Sequence, residues 1–411
     1  MSVSFEPLPA VPAAADAAVC LNPAQASGTA RPRLDSIDLL RGLVMIIMAL
    51  DHTRDFFAPS GMNPRDVAEP ALFLTRWITH FCAPAFIFLA GVSAYLYGLR
   101  GRTTAELSRF LLTRGFWLIV IEFTLVKFCW RFTVDTHLFV AQVIFAIGAS
   151  MVALSLLVWL PRWAVAAFGV AMMLGHNLLD GIKAEQFSGT AAFAWHVLHQ
   201  QGLVSIGADT KLFVLYPLIP WIGVMAAGYA LGPVFQLDRA ARMRWLVLLG
   251  AVVTVGFVAL RASNLYGDPA PWKSYDSTVA TILSFLNCEK YPPSLLYLAM
   301  TLGPALLLLA AFEHARGRVA DWVIVYGRVP LLYYVAHLFL LHILAVAFSG
   351  ATIGEVSWLF GGLPGSKPAS YGLALPGVYA IWVMVVLALY PLCRWFATIK
   401  QQRREWWLSY L

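Results

Sequence analysis

The chain has 411 residues, of which 60% are apolar, 14% are aromatic and only 12% are charged, and its net charge at neutral pH is +7. This composition excludes an ordinary soluble domain, which has about 25% charged residues, and it indicates an integral membrane protein. The positive charge does not require a nucleic-acid partner, because membrane proteins collect Lys and Arg in their cytoplasmic loops. We therefore predict no nucleic-acid partner. The five cysteines show neither CxxC pairs nor metal-ligand spacing, so we predict no metal site and no disulfide framework.

Ten apolar segments are long enough to span a bilayer, and they predict an all-α integral membrane protein, a polytopic bundle of about ten transmembrane helices. This transmembrane domain is predicted at residues 33–393. A disordered Ala- and Pro-rich tail at 1–32 precedes it, and a basic, aromatic interfacial tail at 394–411, ending in WWLSY, follows it. The ten segments are 37–57, 70–98, 109–129, 137–160, 163–182, 212–232, 245–261, 293–312, 322–348 and 373–393.

The distribution of basic residues predicts the orientation of the bundle. Placing the N-terminus in the cytoplasm puts most Lys and Arg on that side, and an even number of spans returns the C-terminus there. The loops predicted outside, at 183–211, 262–292 and 349–372, are long and rich in Gly, Pro and aromatic residues. We therefore expect a bulky substrate to be handled on the outer side.

The first apolar segment carries more ionisable side chains than a membrane helix normally tolerates. Arg41 and His52 are eleven residues apart, so they project from one face about 16 Å apart along the helix axis. Such a polar stripe must face protein or a water-filled cavity, because lipid cannot satisfy it. Asp51 adjoins His52 and leans to another face. The stripe consists of Asp38, Arg41, Met45, Met48, His52 and Asp55.

The second segment adds a further polar pair. Arg76 and His80 are four residues apart and therefore lie on one face, and Pro84 favours a kink just beyond them. Because the first two segments are predicted to form a helical hairpin, we expect His52 and His80 to be able to converge in the outer half of the membrane. A structural hydrogen bond is the alternative interpretation for each histidine.

Polar side chains in later segments are mostly interpreted as structural, including His176, Asn177 and Asp180. Glu122 needs a partner, for which we expect Arg76 or Lys127, or else protonation. His337 and His342 are five residues apart and lie on different faces, so at most one is expected to face the stripe. Tyr333 and Tyr334 favour a hydrogen-bonded interior cluster with His337. Glu289 and Lys290 are interpreted as the rim of an outer cavity or as a solvated pair.

A histidine in this setting suits acyl transfer, because its neutral ring can take a proton from a hydroxyl or amine or can attack an acyl group itself. Asp51 or Asp55 could orient the ring, and Asp55, three residues beyond His52, is the better placed. The same residue types also fit the proton relay of a proton-coupled transporter or flippase. The residues alone leave these two functions open.

Four stretches resemble one family of membrane enzymes. Arg41, ten intervening residues and His52 match the arginine-to-histidine motif of acyltransferase family 3 proteins, in the transmembrane acyltransferase superfamily. The wider pattern is similar to bacterial membrane proteins related to the catalytic domain of heparan-α-glucosaminide N-acetyltransferase. The matching stretches are SIDLLRGLVMIIMALDHTRDFF, TRWITHFCAPAFIFLAG, KYPPSLLYLAMTLGP and GRVPLLYYVAHLFLLH.

The resemblance implies an enzyme of the bacterial cytoplasmic membrane that moves an acyl group, usually acetyl, from cytoplasmic acyl-CoA to a sugar or other acceptor on the far side. It gives His52 the catalytic histidine position. The lysosomal enzyme of this family carries its proposed histidine in the loop between the first two helices, whereas residues 56–75 here contain none. The resemblance therefore does not extend to the lysosomal acceptor.

The resulting hypothesis gives each candidate residue a role. His52 is the general base or transient acyl carrier, with Asp55 or Asp51 orienting it, and His80 with Arg76 forms a second polar wall. The expected partners are the lipid bilayer, acetyl-CoA as co-substrate and a glycan or other small acceptor; a homodimer and a non-catalytic family member stay open. Arg41 and Asp38 are assigned to the donor, and the supporting residues are Arg76, Glu122, His337, Tyr334 and Glu289.

Overall fold

The structure is a computed structural model that describes residues 34–362, 366–403 and 405. The tail predicted at 1–32 and the predicted WWLSY anchor lie outside these residues. The described part is mostly helical, as predicted. Its α-helices are α1 Asp35–Phe57, α2 Pro70–Thr79, α3 Cys82–Gly98, α4 Thr104–Ile121, α5 Lys127–Arg131, α6 Val143–Leu157, α7 Arg162–Gly175, α8 Gly189–Leu198, α9 Leu218–Leu231, α10 Arg239–Ser263, α11 Thr278–Leu286, α12 Leu295–Phe312, α13 Arg318–Arg328, α14 Pro330–Thr352 and α15 Leu375–Gln402.

Within the described residues, six helical stretches are long and apolar enough to cross a membrane. Each of the ten predicted segments contains a helix, but the number of spans and their sidedness stay predictions. Helix α1 is not among the six because charged side chains interrupt it. The six are Pro70–Gly98, Leu218–Gln236, Arg239–Ser263, Leu295–Phe312, Pro330–Thr352 and Leu375–Gln402.

A small three-stranded sheet corrects the prediction of an all-α fold. Its strands are β1 Leu138–Ala141, β2 Gly202–Ser205 and β3 Lys211–Val214, and the central β3 pairs parallel with β1 and antiparallel with β2. Leu212 and Val214 alternate into a small core with Ala141. The apolar residues of β1 and β3 were interpreted as the starts of membrane helices because short apolar runs do not distinguish a strand from a helix.

Three of the predicted segments are not single regular α-helices in the structure. Helix α2 ends at Thr79 and α3 begins at Cys82, so the break falls at His80. The segment at 322–348 divides before Pro330, which occupies the first turn of α14, where its missing N–H is not needed. Between α4 and α5 the chain forms a π-helical turn at Glu122–Val126. Such turns widen a helix locally and are frequent at functional sites.

Glycines let α1 and α13 cross in close contact. A Cβ atom on Gly327 would lie 1.8 Å from the carbonyl oxygen of Asp38, and one on Gly42 would lie 2.0 Å from that of Val323. Membrane helices gain their association energy from such close packing, because lipid is as apolar as the side chains. The crossing holds α1 against α13, which directly precedes α14 in the chain.

We expect Gly327→Ala to lower the unfolding free energy by about 1–3 kcal/mol, because the added methyl group must push α13 away from α1. Thermal unfolding in detergent measures the effect. The matched control is Gly256→Ala on α10, where an added Cβ meets nothing within 4 Å. A Gly327→Ala protein that unfolds at the same temperature as the control would contradict this account of the crossing.

Candidate active site

The stripe on α1 lies inside the protein, as predicted. Asp38, Met45, Met48 and His52 are buried, and Arg41 and Asp55 are partly buried. Helix α1 packs against α3, α13, α14 and α15, so its polar face meets protein on several sides. The cost of burying these groups is thus met by contacts with neighbouring helices.

His52 forms a hydrogen-bonded pair with His337 of α14. The two rings are parallel within 5°, and Nδ1 of His52 lies 2.7 Å from Nε2 of His337. Nδ1 of His337 lies 2.7 Å from the carbonyl oxygen of Tyr333. His337 is completely buried and His52 is 9% exposed. We call His52 and His337 the histidine pair.

The contacts of the histidine pair fix its tautomers. The Tyr333 carbonyl can only accept, so Nδ1 of His337 carries a hydrogen. A neutral ring then has a bare Nε2, which accepts from Nδ1–H of His52. Neutral rings are favoured because an unpaired charge is costly to bury. It follows that Nε2 of His52 holds a free lone pair, as a base or nucleophile requires.

Aromatic rings enclose His52. Trp130 and Tyr334 approach its ring edge-on, with centroids 5.0 and 5.8 Å away, and Phe56 stacks on Trp130 at 5.2 Å. A small cavity of about 20 Å³ opens beside them, enough for roughly one water molecule. Burial lowers the pKa of Lys367, at the wall of this cavity, to about 8, although Asp55 opposes the shift. The cavity is lined by Asp55, Phe56, Trp130, Trp358, Leu359, Gly362 and Lys367.

The geometry corrects the expectation that Asp55 orients His52. Arg54 lies between two carboxylates, 2.7 Å from Asp51 and 2.8 Å from Asp55. The hydrogen-bonding partner of His52 is a histidine 285 positions further along the chain. Asp51 and Asp55 both act on His52 electrostatically and not through a hydrogen bond, and Asp51 also acts on His80. Helical spacing favoured Asp55 because it relates only residues of the same helix, here α1.

A second polar group surrounds His80. His80 is 5% exposed, and neither ring nitrogen has a hydrogen-bond partner within the described part of the chain. The Tyr297 hydroxyl donates to its backbone carbonyl at 2.8 Å. Arg54, Arg76 and Lys290 act on it as positive charges and Asp51 as a negative one. We call Asp51, Arg54, Arg76, His80 and Lys290 the outer polar cluster.

Arg54 is the member of this cluster to which the sequence analysis assigned no role, and Lys290 was predicted only as a rim or solvated residue beside Glu289. The predicted rim residue Glu289 forms an ion pair with Arg65 at 3.0 Å. Its neighbour Lys290 is only 6% exposed and acts electrostatically on Asp51, His52 and His80. The sequence could have indicated that Lys290 points inward when Glu289 points outward, since adjacent residues in an extended loop point to opposite sides.

Glu122 has neither of its predicted protein partners. One carboxylate oxygen accepts from the backbone N–H of Phe145 at 2.8 Å, and the side chain is almost completely buried. Phe145 lies in the first turn of α6, where backbone N–H groups have no helical partner and favour negative charge. Lys127 donates instead to the backbone carbonyl of Asp135. The expectation of a Lys127 or Arg76 partner is therefore wrong.

The first two turns of α1 carry the residues assigned to the donor. Asp38 lies 3.1 Å from Arg41 and 3.8 Å from Arg328 of α13. Arg41 also donates to Ser93 of α3 at 3.0 Å. Arg328 and Ser93 were not selected as site residues because nothing in their own sequence context marks them. These contacts join α1, α3 and α13 around two guanidinium groups.

Comparison with known proteins agrees with the motifs. Residues 33–261 match the family described as Heparan-alpha-glucosaminide N-acetyltransferase, catalytic. The chain belongs to this family. Membership implies a transferase, and the six apolar helices agree with a membrane-embedded one. A search of curated proteins found no match.

The match to the Heparan-alpha-glucosaminide N-acetyltransferase catalytic family covers only part of the site. It includes α1 and the outer-cluster residues Asp51, Arg54, Arg76 and His80. His337 lies beyond its last residue, 261. The histidine pair therefore combines one residue from the matched region with one from outside it.

Proposed function

We propose that the chain is a membrane acetyltransferase that moves an acetyl group from cytoplasmic acetyl-CoA to a sugar or other small acceptor on the outer side. Family membership supports the transferase class. The observation that carries the proposal is the histidine pair, whose hydrogen bonds leave a lone pair on Nε2 of His52.

His52 can act in two ways. As a general base, its Nε2 takes the proton of the acceptor hydroxyl or amine while that group attacks the thioester carbonyl. The carbon–sulfur bond then breaks and CoA leaves as a thiolate, which takes the proton from His52. As a nucleophile, Nε2 attacks the thioester carbonyl, the carbon–sulfur bond breaks and CoA leaves as a thiolate. The acceptor then attacks the acetyl-histidine, the bond between Nε2 and the acetyl carbon breaks, and the acceptor proton passes by way of the freed Nε2 to the thiolate. Trapping of an acetyl-histidine, detected by mass spectrometry, distinguishes the two routes.

The outer polar cluster suits the negative charge that develops on the carbonyl oxygen. Its positive side chains, Arg54, Arg76 and Lys290, outnumber the carboxylate of Asp51 even when Asp55, which also pairs with Arg54, is counted. Cationic donors held in place before the reaction stabilise such an oxyanion most effectively where water is excluded. His80, with both nitrogens unpartnered in the described residues, can bind the acceptor.

Donor recognition is assigned to the other end of α1. Arg41 and Arg328 offer guanidinium groups to the donor phosphates, and Asp38 holds both in place. Arg41 and His52 are about 16 Å apart along the axis. An acetyl-CoA molecule with its phosphates at the first end and its thioester at the second would thus lie along α1.

The test uses the purified full chain in lipid nanodiscs with radiolabelled acetyl-CoA and a bacterial envelope glycan extract. We expect release of free CoA together with transfer of label to the glycan. Flux of a substrate or of protons through proteoliposomes without any CoA dependence would instead support the transporter or flippase. Failure of acetyl-CoA both to react and to protect the protein from heat would overturn the proposal.

A further inference from the structure

Two histidines and an aspartate meet in a part of the chain that the proposed reaction does not use. His176 follows α7 in a short 3₁₀ turn, Asp180 ends that turn, and His199 directly follows α8. One side-chain nitrogen or oxygen from each lies within 4.8 Å of the others. We call these three residues the His–Asp–His cluster.

His176 is the observation that points to a ligand. It is 1% exposed, and neither ring nitrogen has a hydrogen-bond partner in the parts of the chain that the structure describes. A buried polar group left without a partner costs about 1–3 kcal/mol. A second nitrogen, Nδ1 of His199, is also buried without a partner within those residues. Packing alone gives no reason to bury so many unpaired imidazole nitrogens together.

The donor groups already face one another. Nε2 of His199 lies 3.2 Å from one carboxylate oxygen of Asp180, and Asn177 donates to the other at 2.8 Å. The ligand atoms of a tetrahedral zinc site are about 3.3–3.6 Å apart, given metal–ligand distances of about 2.0–2.2 Å. His199 and Asp180 are already close to that spacing, and all the ligand atoms of the cluster lie within 4.8 Å of one another. The hydrogen bond from Asn177 is the kind of outer contact that orients a ligating carboxylate.

We propose that the His–Asp–His cluster binds a divalent transition-metal ion of the Zn²⁺ class. Two imidazoles and one carboxylate match the ligand preference of zinc, and hard cations such as Ca²⁺ prefer oxygen ligands alone. The Asp180 side chain is 27% exposed, which gives the ion a route from solvent and leaves a coordination position for water. The cysteine spacing gave no indication of this site, because no cysteine contributes to it.

The ion would tie together three separate parts of the fold. Its ligands come from the end of α7 and the end of α8. The side-chain oxygen of Asn177 accepts from the backbone N–H of Leu295, the first residue of α12. Helix α12 in turn supplies Tyr297, which holds the backbone of His80. The metal therefore acts as a structural link beside the outer polar cluster, independent of the acetyl donor.

The test measures metal binding rather than activity. The full-length protein, freed of any affinity tag, is stripped with a chelator and titrated with Zn²⁺, with Ca²⁺ as the comparison ion. We expect one Zn²⁺ per chain by elemental analysis and a rise in unfolding temperature that grows with Zn²⁺ concentration. His176→Ala is expected to lose both effects. The matched control is His196→Ala, on α8 three residues before His199 and outside the cluster, and it is expected to keep both effects.

Three results would overturn the proposal: no bound zinc in the wild-type chain, equal effects of Ca²⁺ and Zn²⁺, or zinc effects that persist in His176→Ala. A second measurement covers the case in which His176→Ala does not fold. Co²⁺ added to the stripped wild-type chain is expected to give the visible absorption of a low-coordinate site, and to lose it when Zn²⁺ is added. Absence of that absorption also contradicts the proposal.

Discussion

His52→Ala is expected to lower the rate of acetyl transfer by about 10²–10⁴-fold, the usual contribution of a positioned acid or base. The replacement removes the Nε2 lone pair that takes the acceptor proton or receives the acetyl group. The assay follows CoA release and glycan labelling at saturating acetyl-CoA. We expect the loss in kcat rather than in KM, because the ring acts on the reacting atoms.

His137→Ala serves as the matched control for this experiment. His137 is exposed at the start of β1 and has no place in the proposed mechanism. Both variants must unfold near the wild-type temperature, so that a lost rate reports chemistry and not misfolding. Transfer by His52→Ala at the wild-type rate would rule out His52 as base and as acyl carrier.

The sequence was sufficient to predict how α1 is used. A stripe that carries ionisable side chains at helical spacing is expected to face protein, and four of its six residues are buried while Arg41 and Asp55 are partly buried. The family was also recognisable, since the distance from Arg41 to His52 is a property of one continuous helix. Both features can be predicted without the tertiary structure because they depend only on the spacing of residues along one helix.

Partners from distant helices could not be predicted in the same way. His337 was named as a supporting residue, but helical spacing showed only that it and His342 lie on different faces; the packing of α14 on α1 is what places His337 against His52. His342 is turned to the backbone carbonyl of Cys129 and stacks on Phe132. Helical spacing separates the two faces, but it does not say which face meets α1.

Glu122 illustrates a second limit. Its side chain leaves a π-helical turn, so the spacing of an ordinary helix misplaces it relative to Lys127. Its partner is a backbone N–H of Phe145, which no side-chain pattern can indicate. Lys290 shows the same difficulty in a loop, where burial depends on what covers the chain.

His337 is a positioning residue in this mechanism, because it acts through His52. Its bare Nε2 accepts Nδ1–H of His52 and so keeps the lone pair on the other nitrogen. Without an acceptor at that place, His52 can adopt the other tautomer, in which Nε2 carries the hydrogen and is no longer a base. The wrong tautomer in an otherwise intact triad lowers kcat by about 10⁴-fold.

We therefore expect His337→Leu to lower kcat by about 10²–10⁴-fold with little change in the KM for acetyl-CoA. In His337→Gln the side-chain carbonyl can still accept from His52, and we expect that variant to recover much of the lost rate. ¹⁵N spectra of histidine-labelled protein report the tautomer directly: His52 should be protonated on Nδ1 in the wild type and redistributed in His337→Leu. Equal losses in His337→Leu and His337→Gln, with both variants folded and the His52 tautomer unchanged, would mean that His337 acts by filling space and not through its hydrogen bond to His52.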